Sequence, residues 1–253
     1  MAPSKIELIG LSYSPWTEKA RWALDHHQLL YRYREHTMIF GMPLLRWRLR
    51  RLTGDITVPA LIDGTVRPVR RLMDSWEIAL HADRIGQSKK LFPESQMKEL
   101  ARWNELSEKG LSAGRALLCA RMHDDPEALR EALPPYVPKF MRRPLLVVAR
   151  IGLNYVVREF AVKEKSLSEH EADLGEVIRS LRKSLSKGKT YLLEEFTYAD
   201  IAMAAMFQFV NPVSEDYRPL GPATRRCFRH EKLSSEIADL LEWRDRIYRQ
   251  HRQ

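Results

Sequence analysis

Residues 58–66 read Val-Pro-Ala-Leu-Ile-Asp-Gly-Thr-Val, and this stretch decides how the first part of the chain is interpreted. Three apolar residues follow the proline, and Asp63-Gly64 is a dipeptide typical of tight hairpin turns. Pro59 has no N–H to donate, so it belongs at the first residue or the edge of a strand. The stretch therefore predicts a strand, a turn and the start of a second strand.

The residues around this hairpin predict alternating strands and helices. Residues 6–9 alternate as Ile-Glu-Leu-Ile, which is typical of a short strand. Pro15 fits the first position of a helix extending to about residue 27, because no N–H is needed there. A strand is predicted near residues 30–34, and a basic helix over residues 42–52. Asp74 or Ser75 then caps a further helix through the free N–H groups of its first turn. The predicted order is β-α-β-α-β-β-α.

The chain changes character after a linker at residues 86–93. Helical periodicity covers residues 96–122, 173–186, 198–208 and 234–249, without a convincing strand pattern. Residues 144–157 are apolar but too short for a membrane span, which needs about 20 residues. We expect residues 141–157 to form a buried helix; a helix lying on a membrane surface is the alternative. The prediction is an α/β domain over residues 1–87 and an all-helical domain over residues 88–253.

Composition and charge limit the classes of function. The chain has 253 residues and a net charge of +9, from 42 basic and 33 acidic side chains. Two cysteines exclude a disulfide framework and a Cys-only metal site. Adjacent helical residues point about 100° apart, so His26-His27 is not a metal site, and no metal cofactor is expected. The basic charge suits nucleic acid or anionic lipid, but no zinc-finger, RNP or KH signature occurs. We expect a solvated basic surface and no nucleic-acid partner. No signal peptide precedes the first strand, which favours a cytoplasmic protein.

Four separate motifs carry a family resemblance. Residues 12–21 (Ser-Tyr-Ser-Pro-Trp-Thr-Glu-Lys-Ala-Arg) resemble the first-helix motif of serine- and cysteine-type glutathione transferases. Residues 58–61 are similar to the family's Val-Pro-x-Leu, whose proline is cis, and residues 74–75 to the acidic-Ser pair that opens its third helix. Residues 196–202 (Phe-Thr-Tyr-Ala-Asp-Ile-Ala) resemble its Thr-x-Ala-Asp pattern. Their order implies a cytosolic glutathione transferase, with a thioredoxin-like N-terminal domain followed by an all-helical domain. The excess length over this family lies before residue 58 and in residues 130–168.

The resemblance implies that Ser14 activates the thiol of glutathione. A hydroxyl that donates a hydrogen bond to sulfur stabilises the thiolate, and the helix N-terminus adds positive potential. Ser12 and Tyr13 are alternative donors, and the alternative role of Ser14 is to cap the helix. Because position 14 is not cysteine, thiol–disulfide chemistry is not expected at this site.

The same resemblance assigns the glutathione-binding residues. A cis Pro59 would turn the backbone N–H and C=O of Val58 toward an extended peptide; an ordinary trans proline is the alternative. Ser75 suits the γ-glutamyl carboxylate and Asp74 its ammonium group. Further roles are expected at other positions. One of Arg46, Arg48, Arg50 and Arg51 binds the glycine carboxylate. Trp16 forms the wall of an electrophile pocket or packs in the core, Arg21 is structural, and Asp200 caps a helix.

Three functions remain open from the sequence. The first is a glutathione transferase that uses glutathione as a substrate and attacks a small hydrophobic electrophile, as in detoxification; the family implies a homodimer. The second is a non-catalytic module that binds a ligand, a partner or a membrane through its basic surface. The third is a glutathione-dependent peroxidase or reductase.

Overall fold

The computed structural model describes residues 4–133, 137–159, 164–186 and 188–252, without the side chains at 38–40, 139 and 159. The chain forms two compact units. The first contains Met1–Asn104, Tyr191–Ala205 and Arg246–Gln253; the second contains Glu105–Thr190 and Met206–Asp245. The domain boundary near residue 88 stays a prediction. Some of the predictions fall on residues outside the described ranges. They concern residues 1–3 at the start of the chain, and residues 134–136 and 160–163 within the predicted extra length.

A four-stranded mixed sheet lies in the first unit. Its strands are β1 (Ile6–Gly10), β2 (Arg32–Glu35), β3 (Ala60–Asp63) and β4 (Arg70–Met73), in the order β2-β1-β3-β4. Strand β1 runs parallel to β2 and antiparallel to β3, and β3 runs antiparallel to β4. The first strand of the predicted hairpin is confirmed, but the second starts later than expected. Asp63 Oδ1 accepts hydrogen bonds from the backbone N and the Oγ1 of Thr65, and Pro68 cannot donate to a ladder.

The strand register brings several loops to one edge of the sheet. Ile9 pairs with Ala60, and Ala60 pairs with Met73 on its other side. Gly10, the next residue of β1, pairs with Glu35 at the end of β2. The segments that leave the sheet here are therefore residues 11–14, 58–59 and 74–75, which contain most of the predicted site residues.

Three helices complete the predicted order of the first unit. Helix α1 (Pro15–His26) buries the side chains of Ala20, Trp22 and Leu24 completely. Helix α2 (Met38–Leu49) starts four residues before the predicted helix and ends where Arg50 adopts a left-handed φ of 53°. Helix α3 (Ser75–Ile85) is capped by Asp74. The thioredoxin-like order β-α-β-α-β-β-α is confirmed.

The remaining described elements are helical. They are α4 (Met97–His123), α5 (Pro126–Glu131), α6 (Leu146–Glu159), α7 (Leu167–Leu185), α8 (Tyr198–Met206), α9 (Pro222–Phe228), α10 (Glu231–Glu236) and α11 (Ala238–His251). Helix α7 starts earlier than predicted because Ser166 and Glu169 form a capping box. The short helices α5, α9 and α10 were not predicted.

Helix α6 is buried on one face only. Its Leu153 is 8% exposed and packs with Cys119 and Leu129, whereas Val147 and Ile151 are 65% and 54% exposed. The prediction of a buried helix is therefore wrong for the opposite face. Within the described ranges, no helix combines the length and apolar character that crossing a membrane requires.

Candidate functional site

Ser14 stands at the junction between the first strand and the first helix. A Cβ atom on Gly10 would lie 2.5 Å from Thr17 Cγ2, so glycine permits the close approach of β1 to α1. The Thr17 Oγ1 accepts a hydrogen bond from the Leu11 N–H at 3.1 Å, which fixes the intervening loop. Ser14 is 7% exposed, and its hydroxyl makes no capping hydrogen bond to α1. The hydroxyl is therefore not used as an ordinary helix cap.

The alternative donor Ser12 is held by Glu35. The Ser12 hydroxyl donates to Glu35 Oε1 at 3.2 Å, and its backbone N–H donates to the same oxygen at 3.0 Å. The hydroxyl of Tyr33 donates to the other carboxylate oxygen at 2.7 Å. Glu35 was not predicted as a site residue. Its position at the end of β2 is the feature of the sequence that could have indicated it. Tyr13, the third candidate, is 36% exposed.

The residues before β3 present backbone groups at the same sheet edge. The Val58–Pro59 peptide bond is cis. Pro59 is buried and Val58 is half-buried. In the part of the chain that the structure describes, the backbone N–H and C=O of Val58 have no hydrogen-bond partner. They are the kind of groups that an extended peptide pairs with.

Asp74 and Ser75 form a strained turn at the start of α3. Asp74 has φ 81° and ψ 132°, a conformation that side-chain-bearing residues rarely adopt. Its Oδ1 accepts hydrogen bonds from Trp76 N at 2.7 Å and Glu77 N at 3.4 Å. Ser75 is 1% exposed, and its buried Oγ has no partner among the described residues. Buried hydroxyls are nearly always hydrogen-bonded, so an oxygen without a described partner is unusual in this turn.

Two of the four predicted arginines are already engaged. Arg46 donates to the carbonyl of Gly54 at 2.9 Å, and Arg48 donates to both carboxylate oxygens of Glu7 at 2.8 and 2.7 Å. Arg50 and Arg51 are exposed and have no partner among the described residues. These two are the arginines left for an anionic group.

The other predicted positions divide between surface and framework. Trp16 is half-buried in the first turn of α1. The guanidinium of Arg21 lies 5.2 Å from the ring centroid of Tyr33. Burial lowers the pKa of Arg21, but its interactions with Tyr31 and with the charge of Glu18 together raise it above the ordinary value. Asp200 accepts hydrogen bonds from Thr197 N and Leu192 N, each at 2.9 Å, which agrees with a capping role.

A buried ion pair near Ser14 was missed from the sequence. Glu18 lies in the first turn of α1 and is 2% exposed; its Oε1 accepts a hydrogen bond from Arg252 Nε at 2.8 Å. Trp22 Nε1 donates to the carbonyl of His251 at 3.0 Å. These partners are more than 200 residues apart, and no local pattern links such positions.

A cavity of about 230 Å³ lies at the opposite, C-terminal end of α1. Its lining residues are Asp25, His26, Gln28, Gln250 and His251. Burial lowers the pKa of both histidines. Within the described ranges, no group of three or more His, Cys, Asp or Glu side chains is arranged to hold a metal ion.

Comparisons with known proteins agree with the fold. Residues 13–85 match the family model described as glutathione S-transferase, N-terminal domain, and residues 126–250 match the model for its C-terminal domain. No curated protein matches the chain by sequence.

Solved structures share the same architecture at low identity. A glutathione S-transferase from Methylobacillus flagellatus with glutathione bound is 15% identical, with a TM-score of 0.60 over 96% of this chain and 94% of that chain. The transferase GSTFuA3 from Phanerochaete chrysosporium is 15% identical, with a TM-score of 0.61 over 96% and 97%. A glutathione S-transferase from Methylobacterium radiotolerans in complex with glutathione sulfonate is 13% identical, with a TM-score of 0.59 over 96% and 90%. At these identities the likeness shows the fold.

Proposed function

Because the chain belongs to the glutathione S-transferase family, we propose that it binds glutathione at the sheet edge described above and activates its thiol. The thiolate then attacks a small hydrophobic electrophile. The observation that carries this proposal is the set of unused polar groups at that edge: the Ser14 hydroxyl, the Val58 backbone and the Ser75 hydroxyl.

Glutathione binding is supported by groups that match the two ends of a peptide. The backbone N–H and C=O of Val58 pair with the extended tripeptide like an added strand. The buried Ser75 Oγ donates to the γ-glutamyl carboxylate, and the α3 N-terminus adds favourable potential there. The exposed Asp74 carboxylate faces the ammonium group, and Arg50 or Arg51 takes the glycine carboxylate. The glutathione-bound structure from Methylobacillus flagellatus supports the choice of ligand.

Thiol activation is assigned to Ser14. A free thiol has a pKa of about 8.5, so little thiolate exists at neutral pH. The Ser14 hydroxyl makes no capping bond, so it is available to donate to sulfur, and the helix N-terminus stabilises the anion further. Serine acts here as a hydrogen-bond donor and not as a nucleophile. The thiol proton passes to solvent when the thiolate forms, and the attack then makes a carbon–sulfur bond. In a substitution the leaving group departs with the electron pair of its bond to that carbon; in an addition the π electron pair moves to the neighbouring atom, which takes a proton from solvent.

The charge of Glu18 is balanced by Arg252. A buried carboxylate in the first turn of α1 would oppose a thiolate at the N-terminus of the same helix. The guanidinium of Arg252 neutralises that charge at 2.8 Å. Trp16, in the same turn, is the proposed wall of the electrophile pocket.

Replacing Ser14 with alanine tests the assignment. We expect the pKa of bound glutathione, followed by thiolate absorbance, to rise by about one to two units, because a hydrogen bond to a charged group is lost. Conjugation of a model electrophile at neutral pH should fall about ten- to a hundredfold, with little change in glutathione affinity. The matched control is Ser12→Ala, whose hydroxyl is held by Glu35. Equal activity in wild type and Ser14→Ala would remove Ser14 from this role.

The non-catalytic module is the second candidate, because the chain exposes basic and apolar side chains together. Calorimetry with glutathione, together with a conjugation assay on a panel of model electrophiles, distinguishes it from the enzyme: the module does not bind glutathione, or it binds glutathione and conjugates none of the electrophiles. Activity against an organic peroxide, without conjugation, would instead identify the glutathione-dependent peroxidase.

A further inference from the structure

The exposed face of helix α6 carries aliphatic and basic side chains together. We propose that this face, with the turn before it, binds the surface of an anionic lipid bilayer. We call it the α6 face and define it by Arg143, Val147, Arg150, Ile151 and Arg158. The inference is independent of glutathione binding, because none of these residues belongs to the proposed site.

Helical geometry places the five residues along one stripe. At about 100° per residue, Val147, Arg150, Ile151 and Arg158 fall within an arc of roughly 100°. Arg143 lies before the first residue of α6. Extending the helical spacing back by one turn from Val147 places Arg143 on the same stripe. The residues that pack inward occupy a neighbouring, separate arc of roughly 100°: Leu146, Ala149, Leu153, Val156 and Val157. The α6 face is therefore the side that the core of the second unit leaves uncovered.

The apolar part of the α6 face is unusually accessible. Val147 is 65% exposed and Ile151 is 54% exposed. In the turn just before the helix, Phe140 is 81% exposed and Met141 is 41% exposed. Val147 and Ile151 lie one turn apart on the same stripe, and neighbouring exposed apolar side chains of this kind are typical of an interaction surface.

The charge of this segment has one sign. Between Glu131 and Glu159 the sequence has five basic residues and no acidic residue. Arg143, Arg150 and Arg158 are exposed and have no partner among the described residues. A helix face that carries aliphatic side chains and arginines together matches the interface of an anionic bilayer, where the apolar groups enter the acyl boundary and the arginines meet phosphates.

Two other occupants fit this surface less well. Nucleic acid would satisfy the arginines, but its phosphate backbone offers nothing to Val147 and Ile151. A second copy of the chain packed about a twofold axis would place arginines against arginines, which is repulsive. The bilayer is the partner that uses both kinds of side chain.

Vesicle flotation tests the proposal with the full chain. Wild type should bind vesicles of phosphatidylcholine and phosphatidylglycerol at low salt, and should not bind phosphatidylcholine alone. The variant R143Q/R150Q/R158Q should lose on the order of a hundredfold in partition coefficient, at about fivefold per arginine. Ile151→Ser should lose roughly three- to tenfold, because an aliphatic group no longer enters the bilayer.

Matched controls separate this surface from general charge and hydrophobicity. The variant R179Q/K183Q/K189Q removes the same charge from exposed positions elsewhere in the second unit. Leu167→Ser removes an aliphatic side chain that is 52% exposed, close to the exposure of Ile151. Both controls should retain wild-type vesicle binding, apart from a small loss from the lower net charge.

Three results would overturn the proposal. The first is equal binding of wild type and the R143Q/R150Q/R158Q variant to anionic vesicles, or no binding by wild type. The second is duplex oligonucleotide binding that needs the three arginines and is unaffected by Ile151→Ser. The third is an oligomer in sedimentation equilibrium that Ile151→Ser dissociates, which would make the α6 face an interface between copies.

Discussion

The Arg252→Met substitution should destabilise the first unit strongly. Arg252 Nε lies 2.8 Å from Glu18 Oε1, and Arg252 Nη1 lies 2.7 Å from Asp25 Oδ2. The side chains of Arg252 and Glu18 are only 7% and 2% exposed. Methionine preserves much of the side-chain volume but removes the guanidinium that lies against the buried Glu18 carboxylate. Breaking such a pair costs about 3–5 kcal/mol.

An exposed pair provides the matched control. Arg182 Nη2 lies 2.7 Å from Asp239 Oδ1, but the two side chains are 44% and 57% exposed. Water screens this pair, so Arg182→Met should cost less than about 1 kcal/mol. The double variant with Glu18→Gln and Arg252→Met removes both buried charges and should recover at least half of the loss.

Urea unfolding measures these differences. The free energy of unfolding comes from linear extrapolation, and the slope with urea should be the same for all variants. If Arg252→Met costs no more than Arg182→Met, burial does not set the strength of these pairs and the reasoning fails. If the double variant is as unstable as Arg252→Met, lost packing of Arg252 and not the buried charge of Glu18 explains the effect.

Two further substitutions test the binding edge and the capping motif. Ser75→Ala should weaken glutathione binding about ten- to a hundredfold in calorimetry, because a donor to a carboxylate is lost, while stability stays nearly unchanged because the Ser75 Oγ has no described partner. Unchanged affinity would exclude Ser75 from the site. Burial raises the pKa of Asp200 from 3.8 to about 6, so the folded state takes up this proton more readily than the unfolded state. Relative to Asp200→Asn, wild type should therefore gain about 2.4 kcal/mol as the pH falls from near 7 to near 4, measured by urea unfolding. A wild-type stability that falls relative to the variant over that range would contradict this sign.

The fold of the first unit was accessible from sequence because its signals are local. The hairpin at residues 58–66, Pro15 at a helix start and the Asp74 cap each depend on neighbouring residues. The first and last residues of the helices and strands were harder to predict from the sequence. Helix α2 begins before its predicted start because nothing in residues 38–41 marks a boundary, and β4 begins late because of the Thr65 turn and Pro68.

Residues of the candidate site could be predicted from the sequence only where a family motif contains them. The positions of Ser14, Pro59 and Ser75 follow from the family resemblance together with the strand register. The partners that decide their surroundings come from distant parts of the chain. Glu35 holds Ser12 across 23 residues, and Arg252 holds Glu18 across 234. The exposure of one face of α6 depends likewise on which helices pack against it.

The packing of residues 246–252 on α1 has a consequence for how the protein is made. Trp22 sits against Tyr248, with ring centroids 4.5 Å apart, and the Trp22 indole donates to the backbone of residue 251. During vectorial synthesis the sheet and α1 leave the ribosome early, while these partners are among the later residues to emerge. The apolar surface around Trp22 therefore stays exposed until residues 246–252 have been synthesised and can pack on α1.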